Sequence, residues 1–498
     1  MSYTPRGSAG AAPAQADGGE PHPAALWREA GVLCAAAETA AAHLRAVPAR
    51  PVWAPMPAAA RAALADAPLP ESGLDPEALL EQAADAVLRY PMGNGHPAFF
   101  GWVNAAPHPA GIAGALLGAA MNPSSAGGEH ADIPLERAVV RWIADLVGYP
   151  HEPGAGLLTS GASMATLVAV GAARHRALAA AGWDVREQGL GGAPRLTAYA
   201  TAEAHSCVRK AVELLGLGTR ALRTVPEHDG HLDTDALRDL IAQDRAAGFT
   251  PFLAVASAGT VNTGAIDPID RAADVCAELG LWLHVDGAYG AFGVLDPLIA
   301  ARYRGMERAD SLALDPHKWL QVPAGVGALL VADRAGLRAA YSLVPPYLRD
   351  DGADPLGWYS EYGIEQTRAP RSLPVWAALA ARGRTGVAAD VTACTAAARR
   401  LAELIAADPA LELSAPVEAS IAAYRYAPPG ADPARLDRVN AALPAAIQAR
   451  GRTFVTGSVY GGHPILRACV INPRTGEAHL RLLLEETRAA GAALLGDG

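Results

Sequence analysis

The sequence predicts an α/β protein with a mostly parallel central sheet and helices on both faces, a helical N-terminal segment and a small α+β C-terminal domain. Two observations predict this fold class. Between about Pro134 and Ala381, short apolar runs alternate with segments in which apolar residues recur at helical spacing, a pattern typical of parallel strands joined by helices. The 498-residue chain is also 51% hydrophobic and 18% charged, which excludes a disordered chain.

The chain begins with residues 1–24, which are rich in Gly, Ala and Pro and lack apolar periodicity, so a disordered tail is predicted there. Residues 25–108 are predicted to form the helical N-terminal segment. Apolar residues recur at helical spacing from Trp27 to Val47 and from Asp75 to Tyr90. The Pro-rich stretch Pro48–Pro70 between them is predicted to be an extended connection.

Residues 109–384 are predicted to form the large α/β domain and residues 385–498 the small α+β domain. The strand candidates of the large domain are Arg195–Ala200, Pro251–Ser257, Leu281–Asp286 and Val326–Ala332. Its helix candidates are Leu135–Val147, Ser163–Ala180, His205–Leu215, Thr234–Ala247 and Ile269–Leu279. The candidates of the small domain are helices over Thr385–Ala407 and Asp432–Arg450 and strands over Leu411–Ser414, Ile421–Tyr426 and Ile465–Ile471.

The composition limits the classes of partner. The net charge of −10 is spread along the chain without a Lys/Arg-rich run, so no nucleic-acid partner is expected. The most apolar stretch, Ala105–Met121, is interrupted by Pro107 and Pro109 and is too short to span a bilayer, so no membrane association is expected. The N-terminus also lacks the basic start and apolar core of a signal peptide.

The five cysteines lie far apart and include no CxxC pair. We therefore predict reduced, mostly buried thiols and a cytoplasmic location, because disulfides are rare in the cytosol. The 14 histidines are scattered, and no group of His and Cys has the spacing of a zinc site, so no metal site is predicted.

Lys318 is the first candidate for chemistry. It follows Asp315, Pro316 and His317 and precedes Trp319 and an apolar run. An ammonium in apolar surroundings costs free energy, which favours the neutral, nucleophilic amine that reacts with an aldehyde cofactor. The alternative is a lysine whose charged end lies in water.

Asp286 ends one predicted strand and His205 follows another, at the carboxyl ends where ligands bind in open α/β sheets. A carboxylate at this edge of the sheet requires a cationic partner, and a protonated pyridine nitrogen would serve. Ala288 is small enough for a flat ring to lie against it, and the His205 imidazole could stack on that ring. The alternatives are a helix N-cap for Asp286 and a core histidine for His205.

The turn from Leu157 to Ser163 leads from an apolar pair into a predicted helix. Its small residues expose backbone N–H groups at a helix N-terminus, which suits a phosphate group, although ordinary helix capping explains the same residues. Phosphate-binding turn, histidine, carboxylate and lysine follow one another along successive strand–helix units. Each signal is weak alone, and together they are hard to explain by packing.

Several segments with this order and spacing resemble the group II pyridoxal-phosphate-dependent amino-acid decarboxylases, with the aromatic-L-amino-acid decarboxylase branch closest. The resemblance runs from about residue 25 to the C-terminus. The segments that carry it are His96–Phe100, Thr159–Leu167, Ala204–Ser206, Gly259–Thr260, His284–Tyr289 and Asp315–Trp319.

The resemblance implies pyridoxal 5'-phosphate (PLP) as cofactor and the PLP-dependent transferase fold type I. It also implies a homodimer with shared active sites, to whose interface the N-terminal segment contributes. In this family Lys318 would form the Schiff base with the cofactor, Asp286 would pair with the pyridine nitrogen, and His205 would stack on the ring opposite Ala288. Ala162 and Ser163 would bind the phosphate, with His317 beside it. Tyr359 would donate the proton to the substrate.

Tyr359 is placed by counting back from the segment Arg371–Trp376, with Tyr362 as the alternative position. The substrate implied is an L-amino acid, with an aromatic one favoured, and Trp102 and Asn104 are predicted to line its site. Three departures from the family concern this region. Asp315 stands where many relatives have Asn, and Val261 stands where they have Thr. Trp102 stands where they have Tyr, and Asn104 and Ala105 replace their Pro-Thr pair.

The predicted activity is therefore decarboxylation of an L-amino acid to the amine and carbon dioxide. Three alternatives stay open at this point. They are oxidative deamination coupled to decarboxylation, which yields an aldehyde, cleavage of a carbon–carbon bond by a lyase of the same fold, and an inactive PLP-binding protein. Tyr359 argues against the first, because the aldehyde-forming relatives have Phe at that position. The residues predicted to bind PLP argue against the third.

Overall fold

The computed structural model describes residues 31–150, 152, 154–343 and 356–496. These residues form two compact units. The first unit contains residues 31–47 and 56–91, and the second contains residues 48–55 and 92–496. The predicted disordered tail, residues 1–24, lies outside the described part of the chain.

The first unit contains the helices α1 (Gly31–Ala46), α2 (Ala58–Ala65) and α3 (Pro76–Ala83). The helix α2 shows that the extended prediction for Pro48–Pro70 was wrong over these eight residues. Alanine is the best helix former, and its repetition in α2 outweighs the prolines that flank the helix. None of these three helices has a buried residue.

The second unit contains two main sheets. Its strands are β1 (Ala155–Thr159), β2 (Leu196–Thr201), β3 (Leu222–Val225), β4 (Glu227–His228), β5 (His231–Leu232), β6 (Thr250–Ser257), β7 (Trp282–Asp286), β8 (Ser311–Leu314), β9 (Gly327–Val331), β10 (Leu411–Leu413), β11 (Ile421–Tyr426), β12 (Thr456–Tyr460) and β13 (His463–Cys469). Its α-helices are α4 (Pro109–Met121), α5 (Asp132–Val147), α6 (Ala162–Ala180), α7 (Val185–Gln188), α8 (Ser206–Leu214), α9 (Thr234–Ala246), α10 (Ile269–Leu279), α11 (Arg334–Tyr341), α12 (Ser372–Ala380), α13 (Gly383–Ala406), α14 (Pro433–Ala449) and α15 (Glu477–Gly496).

The central sheet has the strand order β1-β9-β8-β7-β6-β2-β3. Only β9 runs antiparallel to its neighbours, so the predicted mostly parallel sheet is confirmed. Alternate residues of β9 enter two different apolar clusters: Ala328 and Leu330 join one, and Leu329 and Val331 join the other. Since successive side chains of a strand point to opposite faces, both faces of the sheet are covered.

Helices provide the two coverings. Helix α6 packs across β6 to β9, and its alanines belong to the same cluster as Leu329. Helices α9 and α10 pack against β6, and their apolar residues belong to the other cluster. The second sheet, β10-β11-β13-β12, is antiparallel throughout and packs with α13, α14 and α15, as predicted for a small α+β region. The predicted domain boundaries at residues 108 and 384 stay predictions.

Among the described helices, none combines the length and the apolar character that crossing a membrane requires.

Candidate active site

The strands β8, β7, β6 and β2 are neighbours in this order and run parallel, so their carboxyl ends lie at one edge of the sheet. Asp315 and Lys318 follow β8, Asp286 ends β7, and His205 follows β2. The sequence alone separates these residues widely. The topology brings them together at the edge where ligands of open α/β sheets bind.

A cavity of about 250 Å³ opens at this edge. Most of the predicted site residues line it. They are Trp102, Asn104, Ala162, Ser163, His205, Asp286, Ala288 and Lys318.

Lys318 forms an ion pair in this cavity. Its Nζ lies 2.9 Å from Oδ2 of Asp315, and the two side chains are 19% and 6% exposed. The backbone N–H of Lys318 also donates to the Asp315 carbonyl oxygen at 2.9 Å, which keeps the two residues on one tight turn. The sequence analysis expected apolar surroundings for Lys318, and this expectation was wrong, because the Asp315 carboxylate contacts its Nζ.

Asp286 is 7% exposed at the end of β7. Its Oδ1 accepts the backbone N–H of Ala288 at 3.1 Å, and its Oδ2 lies 3.9 Å from the Cys207 thiol. Burial raises the pKa of this thiol to about 12, so it is a neutral donor. No lysine or arginine among the described residues forms an ion pair with Asp286. A buried carboxylate without a cationic partner is costly, so the cavity suits a ligand with a positive charge at this point.

His205 is the N-cap residue of α8, and its Nδ1 accepts the backbone N–H of Cys207 at 3.2 Å. This bond fixes the imidazole at the rim of the cavity, which Ala288 also lines. Ala162 and Ser163 begin α6 at another part of the wall. The Ala162 N–H, which was predicted to bind phosphate, donates to Oδ1 of Asp315 at 2.7 Å.

Two predicted residues do not line this cavity. Nδ1 of His317 donates to the carbonyl oxygen of Val326 at 2.7 Å. Tyr359 is 5% exposed and lines a second cavity, which the alternative Tyr362 also lines. Its ring centre lies 4.8 Å from the guanidinium carbon of Arg368, and burial raises the pKa of its hydroxyl well above the ordinary value. The structure therefore does not bring either tyrosine to Lys318.

Arg467 on β13 lines the cavity and was missed by the sequence analysis. It is 5% exposed, its Nη1 donates to the Trp102 carbonyl oxygen at 2.9 Å, and its Nε donates to the Val261 carbonyl oxygen. Its Nη2 is buried and has no hydrogen-bond partner among the described residues. Trp102 has the unusual φ of 45°, so Arg467 supports a strained segment of the wall. An arginine inside an apolar strand was the available signal.

Glu203 is the second residue that the sequence analysis missed. It lines the cavity, and its Oε2 is buried without a partner among the residues that the structure describes. Burial raises the pKa of its carboxyl group. Its position two residues before His205 was the only sign of this location.

A family model described as the pyridoxal-dependent decarboxylase conserved domain matches residues 57–427. The chain belongs to this family. It is therefore a PLP-dependent amino-acid decarboxylase, that is, a carboxy-lyase. The predictions of family, fold class, enzyme class and cofactor are confirmed.

Individual members of the family show the extent of the similarity. Aromatic-L-amino-acid decarboxylase of Bacillus atrophaeus is 29% identical over 432 residues, which cover 84% of this chain and 86% of that protein. Acidic amino acid decarboxylase GADL1 of Homo sapiens is 30% identical over 444 residues, which cover 86% of this chain and 84% of that protein. The structure of Oryza sativa TDC with PLP and tryptamine matches with a TM-score of 0.87 and 25% identity, covering 96% of this chain and 100% of that chain.

The residues of the cavity fit the cofactor of this decarboxylase. Lys210 and Lys318 are the only lysines in the sequence, and Lys210 is exposed on α8. Lys318 is therefore the one lysine in the cavity that can bind an aldehyde. Asp286 has the negative charge that can pair with a protonated pyridine nitrogen, and no lysine or arginine described in the structure neutralises it. The lysine count was available from the sequence and was not used.

Proposed function

We propose that this decarboxylase converts an aromatic L-amino acid to the corresponding amine and carbon dioxide. The observation that carries the proposal is that one cavity contains both Lys318 and Asp286. Asp286 is buried and forms no ion pair with a lysine or arginine among the described residues. An acid and an amine at this edge of the sheet match the two ends of a pyridine aldehyde. The proposed alternatives, an aldehyde product and carbon–carbon lyase chemistry, are outcomes of the assay below.

Bound PLP supplies an electron sink for the electron pair left on the substrate Cα when carbon dioxide departs. In the proposal Lys318 binds the cofactor covalently and Asp286 holds the proton on the ring nitrogen. His205 and Ala288 keep the ring between them, since His205 is fixed by its bond to the Cys207 N–H and Ala288 by its bond to Asp286.

The N-terminus of α6 holds the phosphate in this proposal. Ala162 and Ser163 provide backbone N–H groups at the positive end of the helix dipole. His317 follows β8 in the same turn as Lys318, and its Nδ1 is fixed by the Val326 carbonyl oxygen. Its imidazole is therefore held in one orientation beside this region.

Apolar residues of the cavity wall support the proposal of an aromatic substrate. Trp102 and Val261 are partly exposed there, at 47% and 39%, and Asn104 also lines the cavity. Arg467 fixes both apolar residues through their carbonyl oxygens. Nη2 of Arg467, which is buried and has no hydrogen-bond partner in the described part of the chain, is a donor that suits the carboxylate of an amino acid.

Replacing Arg467 by Lys is expected to lower kcat/KM about tenfold, with most of the change in KM. A lysine retains the charge but cannot hold the carbonyl oxygens of Trp102 and Val261 together, so the wall loses its position. Steady-state kinetics and PLP titration check this prediction. Arg425→Lys, on the neighbouring strand and paired with Asp437, is the matched control. An unchanged KM in Arg467→Lys would contradict the proposed role.

The product assay tests the function itself. The purified enzyme with PLP is incubated with each common L-amino acid, and carbon dioxide, amine, aldehyde and peroxide are measured together. We expect the highest kcat/KM with an aromatic substrate, equal amounts of carbon dioxide and amine, and no peroxide. Peroxide with aldehyde would show the oxidative reaction, and an acidic amino acid as best substrate would refute the aromatic assignment. Product without carbon dioxide would indicate a carbon–carbon lyase.

Tyr359→Phe tests the predicted proton donor. Loss of a general acid slows a reaction by about 10²–10⁴-fold, so a donor at Tyr359 would make amine formation slower by this factor. Because the ring lies in a different cavity against Arg368, we expect amine formation at the wild-type rate and only a lower Tm. Amine and aldehyde are quantified in parallel with a thermal melt. A variant that forms aldehyde instead of amine would restore the role of Tyr359.

We also propose a cytoplasmic homodimer. Four cysteines, Cys207, Cys276, Cys394 and Cys469, are buried and unpaired, as in a reducing compartment. Leu117 on α4 is 60% exposed, and other apolar residues of this helix are exposed with it. Contiguous apolar surface of this kind is typical of an interface. Sedimentation equilibrium that gives the mass of one chain would refute the dimer.

A further inference from the structure

Asp315 contacts the two groups that the proposed site offers to PLP. Its Oδ1 accepts the Ala162 N–H at 2.7 Å, and its Oδ2 lies 2.9 Å from Nζ of Lys318. The residue is 5% exposed at the carboxyl end of β8. Thus one carboxylate bonds both to the N–H predicted to bind the phosphate and to the amine predicted to bind the aldehyde.

The position of this carboxylate follows from the local structure. The N-cap residue of α6 is Gly161, which has no side chain that could cap the helix. Asp315, which follows β8, takes this part and brings a negative charge to the positive end of the helix dipole. A phosphate group seeks the same N–H for the same reason. The two anions repel each other at hydrogen-bonding distance, so they cannot share this N–H at low cost.

We propose that Asp315 is a positioning residue that competes with the cofactor for Ala162 and Lys318. Binding of PLP then requires that the carboxylate give up its bond to the helix N-terminus and release the lysine. The apparent affinity for the cofactor is lowered by the fraction of molecules in which Asp315 makes these contacts. An asparagine at this position would accept the same N–H without a charge. The inference rests on PLP as the cofactor and does not depend on the proposed substrate or product.

The first experiment compares Asp315→Asn with the wild type, both freed of cofactor by dialysis against an amine reagent. Asparagine has nearly the same size and retains an oxygen for the Ala162 N–H, so the fold is expected to persist. Two ligands without an aldehyde are titrated by fluorescence: pyridoxamine 5'-phosphate and pyridoxamine. They differ only in the phosphate group and cannot bond covalently to Lys318.

Asp315→Asn is expected to bind pyridoxamine 5'-phosphate at least about tenfold more tightly than the wild type, with little change for pyridoxamine. The matched control is Asp310→Asn. Asp310 precedes the opposite end of β8 and also pairs with a cation and a backbone N–H, those of Arg176 and Leu283. This control is expected to leave both affinities unchanged. Equal or weaker binding of the phosphate ligand by Asp315→Asn would overturn the proposal.

A second measurement uses Lys318→Ala, which retains Asp315 and therefore remains informative if Asp315→Asn alters the fold. Lys318→Ala leaves the Asp315 carboxylate without its cation, so it is expected to weaken binding of pyridoxamine 5'-phosphate. The double variant Asp315→Asn/Lys318→Ala is expected to restore it, and this non-additivity measures the competition. If both single variants bind pyridoxamine 5'-phosphate more weakly and the double variant shows the sum of the two losses, Asp315 supports binding of the phosphate and the proposal is overturned. Because no turnover is measured, failure of the decarboxylation assay leaves this test intact.

Discussion

Replacement of Lys318 by Ala is expected to lower kcat/KM by at least about 10⁴-fold, the largest effect of any single substitution in this chain. In the proposed reaction Lys318 binds the cofactor covalently and frees it for the substrate, so the loss of its amine removes both steps. No other described residue brings a primary amine to the cavity, because Lys210 is the only other lysine and lies exposed on α8.

The covalent bond is measured directly by borohydride reduction and peptide mass spectrometry. The wild type is expected to carry one cofactor adduct, on the peptide that contains Lys318, and Lys318→Ala none. Lys210→Ala is the matched control, which should retain both the adduct and the activity. An adduct on Lys210, or full activity of Lys318→Ala, would refute the assignment of the cavity as the active site.

The parts of this site that the sequence predicted are those that depend on local patterns. Asp286 ends one short apolar run that the sequence identifies as a strand, and His205 follows another. Parallel strands have their carboxyl ends at one edge of the sheet, so these two residues could be expected to meet. The place of Lys318 at this edge could not be argued in this way, because it follows β8, which was not assigned. The strands β1, β3 and β8 of the central sheet were not assigned.

The parts that the sequence did not predict depend on packing between distant segments. Arg467 reaches the cavity from the second sheet, and no local pattern relates it to Trp102 or Val261. Counting back from the segment Arg371–Trp376 identified Tyr359 in the sequence but could not predict where its side chain lies. In the structure its ring packs against Arg368, outside the cavity that contains Lys318. Asp315 was noted only as a departure. Its bond to Ala162 joins residues on different strand–helix units.

Replacement of Asp286 by Asn is expected to lower kcat about 10²–10³-fold while PLP stays bound. This result would separate the effect of the Asp286 charge on the reaction from any effect of the residue on cofactor binding. Asparagine retains the oxygen that accepts the Ala288 N–H, so the end of β7 should persist. It carries no negative charge, and the ring nitrogen then loses the partner that holds its proton. The measurements are kcat, the absorbance of bound cofactor and the Tm.

Asp286→Glu decides between loss of charge and loss of shape at this position. If the charge matters, the glutamate variant should recover part of the activity that Asp286→Asn loses, although its longer side chain fits the buried position less well. If only the shape matters, the asparagine variant should be the more active of the two. The second outcome would refute the pairing of Asp286 with the pyridine nitrogen. The first would leave the buried carboxylate, with no basic partner among the described residues, as the feature that adapts this cavity to a cationic ring.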